Sequence, residues 1–291
     1  MSDRVLKYLL LLPAAMIVVL TTLYPLGFSL VTSFRDWDLT RDLSPRGFVG
    51  LENYIYALTE DYDFYDALRV TVWFVVLDVA ATVLIALGLA MILRRNGRLH
   101  RATRVLLILP FAMSPALIGI SWRFMFNPEV GVFTYVMGVL FPPLRGQAWL
   151  ADPWLAMAAL VSCDVWHWMP YMTLVLLGGL ASLPRDSEEA ARIDGASEWR
   201  VFRDVTLPQL RPVIAVVTIL KTIFALKMFD QVVTLTGGGP GNRTATLAYL
   251  VYRVAFSAYD MGAASALAWI LTAVLIALGA YYMRFLIVKA R

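Results

Sequence analysis

Apolar runs of twenty residues or more recur along this chain, and they decide most of what it can fold into. Tyr8 to Val31 carries no charged residue, and comparable runs follow at about 67–93, 105–126, 154–183, 209–233 and 262–288. About 20 such residues in a helix cross the hydrocarbon core of a bilayer. A composition with 60% hydrophobic and 16% charged residues, and a mean hydropathy of +0.69, lies outside the range of soluble domains. The expectation is an all-α polytopic membrane protein, one domain over residues 1–291 with six transmembrane helices, the first at about 8–31.

Position makes the first run look like a secretory signal, with Arg4 and Lys7 ahead of it. It is too long, at roughly 24 residues against the ~7–15 of a signal's apolar core, and no small-x-small site ends it. Pro110 and Pro115 predict a kink or break in the third span. Phe34 to Asp66 is acidic and aromatic and is expected outside, whereas Arg94, Arg95, Arg98, His100, Arg101 and Arg104 form a basic hinge expected inside. Counting Lys and Arg gives 15 in the presumed inner segments and 8 in the outer ones and their margins. Basic residues are retained on the cytoplasmic side, so both termini and the segment 184–208 are placed there. The same scatter among short loops argues against a nucleic-acid surface. Cys163 stands alone in an apolar run, which leaves no intrachain disulfide and no cysteine metal cluster.

Asp186 to Pro208 is charged, yet it lies between two very apolar runs. It reads as two short helices. Asp186 and Glu189 have capping-box spacing, Gly195 suits a left-handed helix end, and Ser197 can cap a second helix at Glu198–Val205 that Pro208 stops. Glu188, Glu189, Asp194 and Glu198 would be repelled by anionic lipid and suit a basic or polar protein cleft.

Ionisable residues inside spans are costly and mark candidate sites. These are Asp78, Asp164, His167, Lys221, Lys227 and Asp230. Asp164 and His167 are three apart and share a helix face, with Trp166 and Trp168 nearby, a set that suits a polyhydroxylated ligand. Pairing within the bundle is the competing role for them. Lys227 and Asp230 also share a face and are expected to neutralise each other.

Glu189-Ala190-Ala191, then Gly195, then Val205-Thr206-Leu207-Pro208 resembles the EAA signature of bacterial binding-protein-dependent ABC importer permeases, with Val205 where isoleucine is usual. Phe48-Val49-Gly50-Leu51-Glu52-Asn53-Tyr54, Trp166 and Pro170, and Leu235-Thr236-Gly237-Gly238-Gly239-Pro240 extend the resemblance over most of the chain. Together they resemble the carbohydrate-uptake branch and its maltose-F or glycerol-3-phosphate-A type subunits; Val70 stands where that branch often has Asn. The resemblance implies the type I ABC importer permease fold in a bacterial inner (plasma) membrane. It implies docking of an ATPase on Glu189, Ala190, Ala191, Asp194, Gly195, Leu207 and Pro208.

The implied partners are two cytoplasmic ATPase subunits, a second permease forming a heterodimer, an external solute-binding protein and the surrounding lipid. The solute would be a sugar, polyol or related carbohydrate, with Asp164, His167, Trp166 and Asp78 as candidates along its path. No catalytic residue, metal or cofactor is expected, ATP being bound by the partner subunit. The chain has no G-x-x-x-x-G-K-[ST] run, in keeping with that. Gly237 to Gly241 lacks the lysine, and a flexible loop there would suit contact with the binding protein. The alternative is an ion-gradient-driven secondary transporter with a proton relay through Asp78, Asp164 and His167; such folds usually carry more spans and internal repeats. An intramembrane enzyme finds no support, because His100 and His167 make no metal pair.

Overall fold

The computed structural model describes residues 3–94, 98–184 and 186–289. Arg95, Arg185 and Arg291, counted above with the inner charges, lie outside the described residues. Among those residues the chain forms helices and no strand, with two isolated β-bridges. In order the main helices are α1 (Leu11–Thr32), α2 (Glu52–Thr59), α3 (Tyr62–Leu93), α4 (Ala102–Ala112), α5 (Pro115–Met125), α6 (Val132–Leu140) and α7 (Pro153–Ala181). They continue with α8 (Asp186–Ile193), α9 (Glu198–Leu226), α10 (Leu247–Phe256) and α11 (Met261–Lys289). Four of them, α1, α3, α9 and α11, are long and apolar enough to cross a bilayer, and the bent pair α4–α5 makes a fifth span if counted as one.

The expected break in the third span is sharp. Helices α4 and α5 meet at 96°, because Pro115 disfavours helical geometry in the residue before it and Ser114 is extended, with ψ 133°. Pro110 sits in the first turn of Ile108–Ala112, where backbone N–H groups have no helical acceptor anyway. Helix α7 is 29 residues long, about 43 Å at 1.5 Å per residue. Asp164, His167 and three tryptophans dilute its apolar character.

The fifth span departs from expectation at both ends. Pro208 does not separate the loop from the span, because α9 runs on from Glu198 as one helical element. A wide turn at Val201–Thr206 precedes it, in which the Leu207 N–H bonds back to Phe202 O, and such i→i+5 geometry tolerates the missing proline donor. At the other end α9 stops at Leu226 rather than Val233. Lys227 and Asp230 therefore flank a break instead of sharing a helix face. Both are exposed, and no ion pair joins them among the described residues.

Contacts divide the chain into two compact units, Met1–Tyr65 with Leu250–Val274, and Asp66–Tyr249 with Leu275–Arg291. In the first unit the Phe48–Tyr54 motif acts as a tie. Asn53 Nδ2 donates to Ser33 O and Arg35 O, both at 3.0 Å, and Tyr54 OH lies 2.6 Å from Ser33 Oγ. Gly262 allows the chain to close there: a β-carbon on it would stand 2.3 Å from Arg35 O.

In the second unit two apolar clusters stack along the bundle, one around Phe74, Ile118, Leu160 and Val232, the other around Ala86, Met172, Leu176 and Leu210. Small residues set the close approaches. Gly119 lies against Thr234, and Gly179 against Val213.

Replacing Gly119 by Val would bring a β-carbon to 1.9 Å from Thr234 Oγ1. Overpacking of this kind costs about 1–3 kcal/mol. Gly119→Val is expected to lower the thermal unfolding midpoint in detergent, and an unchanged midpoint would contradict the packing described.

Candidate functional site

Two polar constellations stand out in the second unit, one buried in the bundle and one at the charged loop. The buried one centres on Lys221. Its side chain is fully buried, and its ammonium pairs with Asp164 of α7 and Asp78 of α3. The Asp164 carboxylate accepts a hydrogen bond from Nζ, and Asp78 Oδ2 lies 2.5 Å from the same ammonium as an ion pair. Thr82, one turn on, donates to Asp78 Oδ1 at 3.4 Å. Trp168 lies beneath the same ammonium, 5.9 Å from Nζ to the ring centre.

Three helices thus meet on one side chain. An ion inside a bundle is tolerated only when paired, and removing one partner strands the rest. The sequence marked all three residues but named no partner for Lys221 or Asp78, and left Asp164 to pair with His167 or with a neighbouring helix.

Asp164 and His167 do not bond to each other. His167 Nδ1 instead faces Gln231 Nε2 at 3.5 Å, and its ring packs against those of Phe111 and Trp168. A cavity of about 170 Å³ opens there, lined by Asp164, His167, Trp168, Lys227, Asp230 and Gln231 among others. Gln231 is 1% exposed and its Oε1 has no hydrogen-bond partner among the described residues.

Sequence reading missed Gln231, since a single amide beyond the end of a span carries no periodic signal. Of the expected path residues, Asp78 and Trp166 are not among those lining this cavity. Asp78 is held by Lys221, and Trp166 packs against Trp122 at 6.1 Å. The Gly237–Gly241 loop is pinned rather than flexible. Thr244 Oγ1 donates to Gly239 O at 2.7 Å, Tyr249 OH donates to Gly237 O at 2.8 Å, and Gly237, Gly238 and Gly241 hold positive φ.

The charged loop has the expected two-helix form. Helix α8 starts at Asp186, which puts its cap position at Arg185, outside the described residues. It ends in a left-handed turn at Gly195, φ 82°, where Ala196 N bonds to Ala191 O and Gly195 N to Arg192 O. That pairing satisfies the last carbonyls of the helix. Ser197 Oγ accepts from Arg200 N and caps α9.

Glu189, Ala190, Asp194 and Gly195 are exposed, Ala191, Leu207 and Pro208 half-buried. Ile193, which the sequence did not single out, is 86% exposed beside them.

Glu188, Glu189, Asp194 and Glu198 do not form one face. Glu188 turns inward at 8% exposure and takes hydrogen bonds from Arg94 and from Thr206 Oγ1. Burial pushes its carboxyl up, but the bonds from Arg94 and Thr206 outweigh that and hold it below its ordinary value. Glu198 pairs with Arg192 at 2.8 Å. Glu189 and Asp194 make no ion pair among the described residues, and both are exposed.

Long apolar helices, one of them broken, around a buried ionic cluster define a multi-pass helical membrane protein. The chain belongs to the family of binding-protein-dependent transport system inner membrane components, whose model matches residues 82–290. It is 36% identical over 289 residues to the sulfoquinovosyl glycerol transport system permease protein SmoG of Agrobacterium fabrum, covering 99% of this chain and 92% of that protein. It is 36% identical over 273 residues to the trehalose/maltose transport system permease protein MalF of Thermococcus litoralis, covering 93% and 90%.

Among solved structures, the fold matches a chain of a bacterial ABC transporter involved in import of the acidic polysaccharide alginate. The TM-score is 0.82 at 18% identity, with 97% of this chain and 94% of that one covered. The fold is accordingly that of a type I ABC importer permease, and the chain is a transport permease rather than an ion-gradient carrier.

Lys221→Met leaves two buried carboxylates facing no cation, a change that costs about 3–5 kcal/mol. It is expected to lower the yield of folded protein and its thermal midpoint in detergent. Replacing Asp78 and Asp164 by Asn in the same chain is expected to recover most of the loss. A single Lys221→Met variant as stable as the parent would contradict the cluster's role.

Proposed function

We propose that this chain is the permease subunit of an ATP-driven importer of a carbohydrate, polyol or related solute in a bacterial inner membrane. In this reading six helices span the bilayer, α7 and the α4–α5 pair included, with both termini cytoplasmic. A second, different permease completes the route. Two ATPase subunits bind on the cytoplasmic side, and an external binding protein delivers the solute.

The observation that carries the reading is the exposed turn Glu189–Gly195. It is a short helix with small residues at 190 and 191, flanked by Ile193 and linked through the Gly195 turn to the membrane helix that starts at Glu198. A lipid-bound amphipathic helix would instead set basic residues against the headgroups. Its residues Glu189, Ala190, Ala191, Asp194 and Gly195, with Leu207 and Pro208 behind them, form the ATPase-docking set. Two acidic side chains without ion-pair partners and one large aliphatic suit a cleft with basic and apolar walls. ATP and its phosphate-binding loop belong to the docked subunit.

The carbohydrate assignment draws on relatives described as permeases for sulfoquinovosyl glycerol, trehalose/maltose and sn-glycerol-3-phosphate. The cavity at His167, Trp168 and Gln231 fits such solutes chemically. It sets an aromatic face beside an unpaired amide oxygen that a hydroxyl can satisfy. Asp164 is part of its lining and is held by Lys221, which also pairs with Asp78.

The test is reconstitution into proteoliposomes with the partner permease, ATPase and binding protein. Solute-loaded binding protein is expected to stimulate ATP hydrolysis and drive uptake; uptake under an ion gradient without ATP would overturn the reading. Within that assay Gly195 offers a graded probe. A β-carbon there meets no atom within 4 Å, so substitution acts only through φ, at about 1–2 kcal/mol for most residues and less for Asn. Uptake is expected to fall in the order Gly, Asn, Val, and equal activity for Val would contradict the turn's role.

A further inference from the structure

Helix α8 is eight residues long, ends at a glycine turn, and is too short to hold its shape alone. What fixes it to the bundle is Glu188. Its Oε1 takes Arg94 Nη1 at 3.1 Å and Thr206 Oγ1 at 2.7 Å, while its Oε2 pairs with Arg94 Nη2 and, at 3.4 Å, with Arg192. One carboxylate therefore gathers the cytoplasmic end of α3, the wide turn of α9 and its own helix.

The Arg94 pair is two-pronged and partly desolvated, with side-chain exposures of 30% for Arg94 and 11% for Glu188. A guanidinium fork on a carboxylate fixes orientation as well as distance, which a single-point contact does not. Sixteen residues before Arg94 on the same helix, about 24 Å at 1.5 Å per residue, Asp78 is tied to Lys221.

We propose that the Arg94–Glu188 pair is a latch that makes α3 a second rod, beside α9, through which movement of the loop reaches the buried Lys221 cluster. The proposal rests on the loop being the ATPase-docking element. Helix α9 is joined to the loop covalently, so it follows any displacement. Helix α3 has no covalent link to α8, and this pair is its direct polar tie to that helix, beside the contacts with α9 at Lys221 and in the apolar cluster of Ala86 and Leu210. If α8 tilts with the pair intact, α3 and α9 move together and the Asp78–Lys221–Asp164 contacts are kept. If the pair is absent, displacement of α8 reaches α3 indirectly, by way of α9, and part of it is dissipated between the two helices. Glu188 and Arg94 are thus positioning residues for coupling; the outward side chains at 189 and 194 do the docking.

The experiment compares Arg94→Gln, Glu188→Gln and the double variant in the complete transporter reconstituted in proteoliposomes. Neutral glutamines avoid a stranded charge of either sign when both are present. Three quantities are measured: ATPase retained on co-purification, basal ATP hydrolysis, and the stimulation of hydrolysis and uptake by solute-loaded binding protein. Each single variant is expected to retain the ATPase and basal hydrolysis while losing about tenfold of the stimulation, the scale of one lost charge-assisted hydrogen bond. The double variant is expected to lose no more than the worse single, because both changes remove one contact.

Normal stimulation in either single variant would overturn the latch, as would multiplying losses in the double. Loss of the ATPase from the single variants would also overturn it, since the pair would then serve docking and not transmission. If the parent chain itself retained no ATPase, the docking reading would fail and the latch with it. Normal coupling in Arg94→Gln overturns the latch alone.

Discussion

An ammonium group enclosed in a helical bundle must be paired, and Lys221 meets that demand by drawing Asp78 and Asp164 onto itself. The cost of leaving any of the three alone inside the bundle sets the rotation and height of α3, α7 and α9 more strictly than apolar packing can. Leucines and valines in lipid-compatible helices slide past one another with little penalty, whereas a buried ion pair has one geometry. The aromatic layer follows from this. Trp168, the residue under the ammonium, stacks on Phe224 at 4.1 Å and meets Phe111, which in turn stacks on Tyr171.

From that cluster the chain builds outward to the loop along two helices. Helix α9 carries Lys221 and is continuous with Glu198, so the loop and the buried charge share one element. Helix α3 carries Asp78 and reaches the loop at Arg94. The wide turn at Val201–Thr206 serves both: it absorbs Pro208, and it presents the buried Thr206 hydroxyl to Glu188. A charged loop is thereby held in a defined orientation against an apolar bundle without a large core of its own.

Much of this was legible in the sequence. The apolar runs gave the bundle, Pro115 gave the break between α4 and α5, and Gly195 with Ser197 gave the two-helix loop, because each of these acts over three or four residues. What escaped depended on residues far apart in the chain. Nothing local tells that Lys221 answers Asp164, 57 positions earlier, or that Glu188 turns toward Arg94, 94 positions earlier, instead of joining Glu189 outside. Lys227 and Asp230 mislead for a related reason: their spacing signals a pair only if the helix continues, and it ends at Leu226. Gln231 lies just past that end, where periodicity says nothing about burial.

Cross-linking at the small residues of the exposed 186–208 turn is the most direct test of the proposed grip of an ATPase on it. The chain has one cysteine, Cys163, which is fully buried and so leaves the surface free of background. Ala190→Cys, carrying a short photoactivatable maleimide in membranes that contain the whole transporter, is predicted to yield one adduct with the ATPase subunit. A transport-competent variant that labels fully yet gives no such adduct, only lipid or solvent products, would contradict the account.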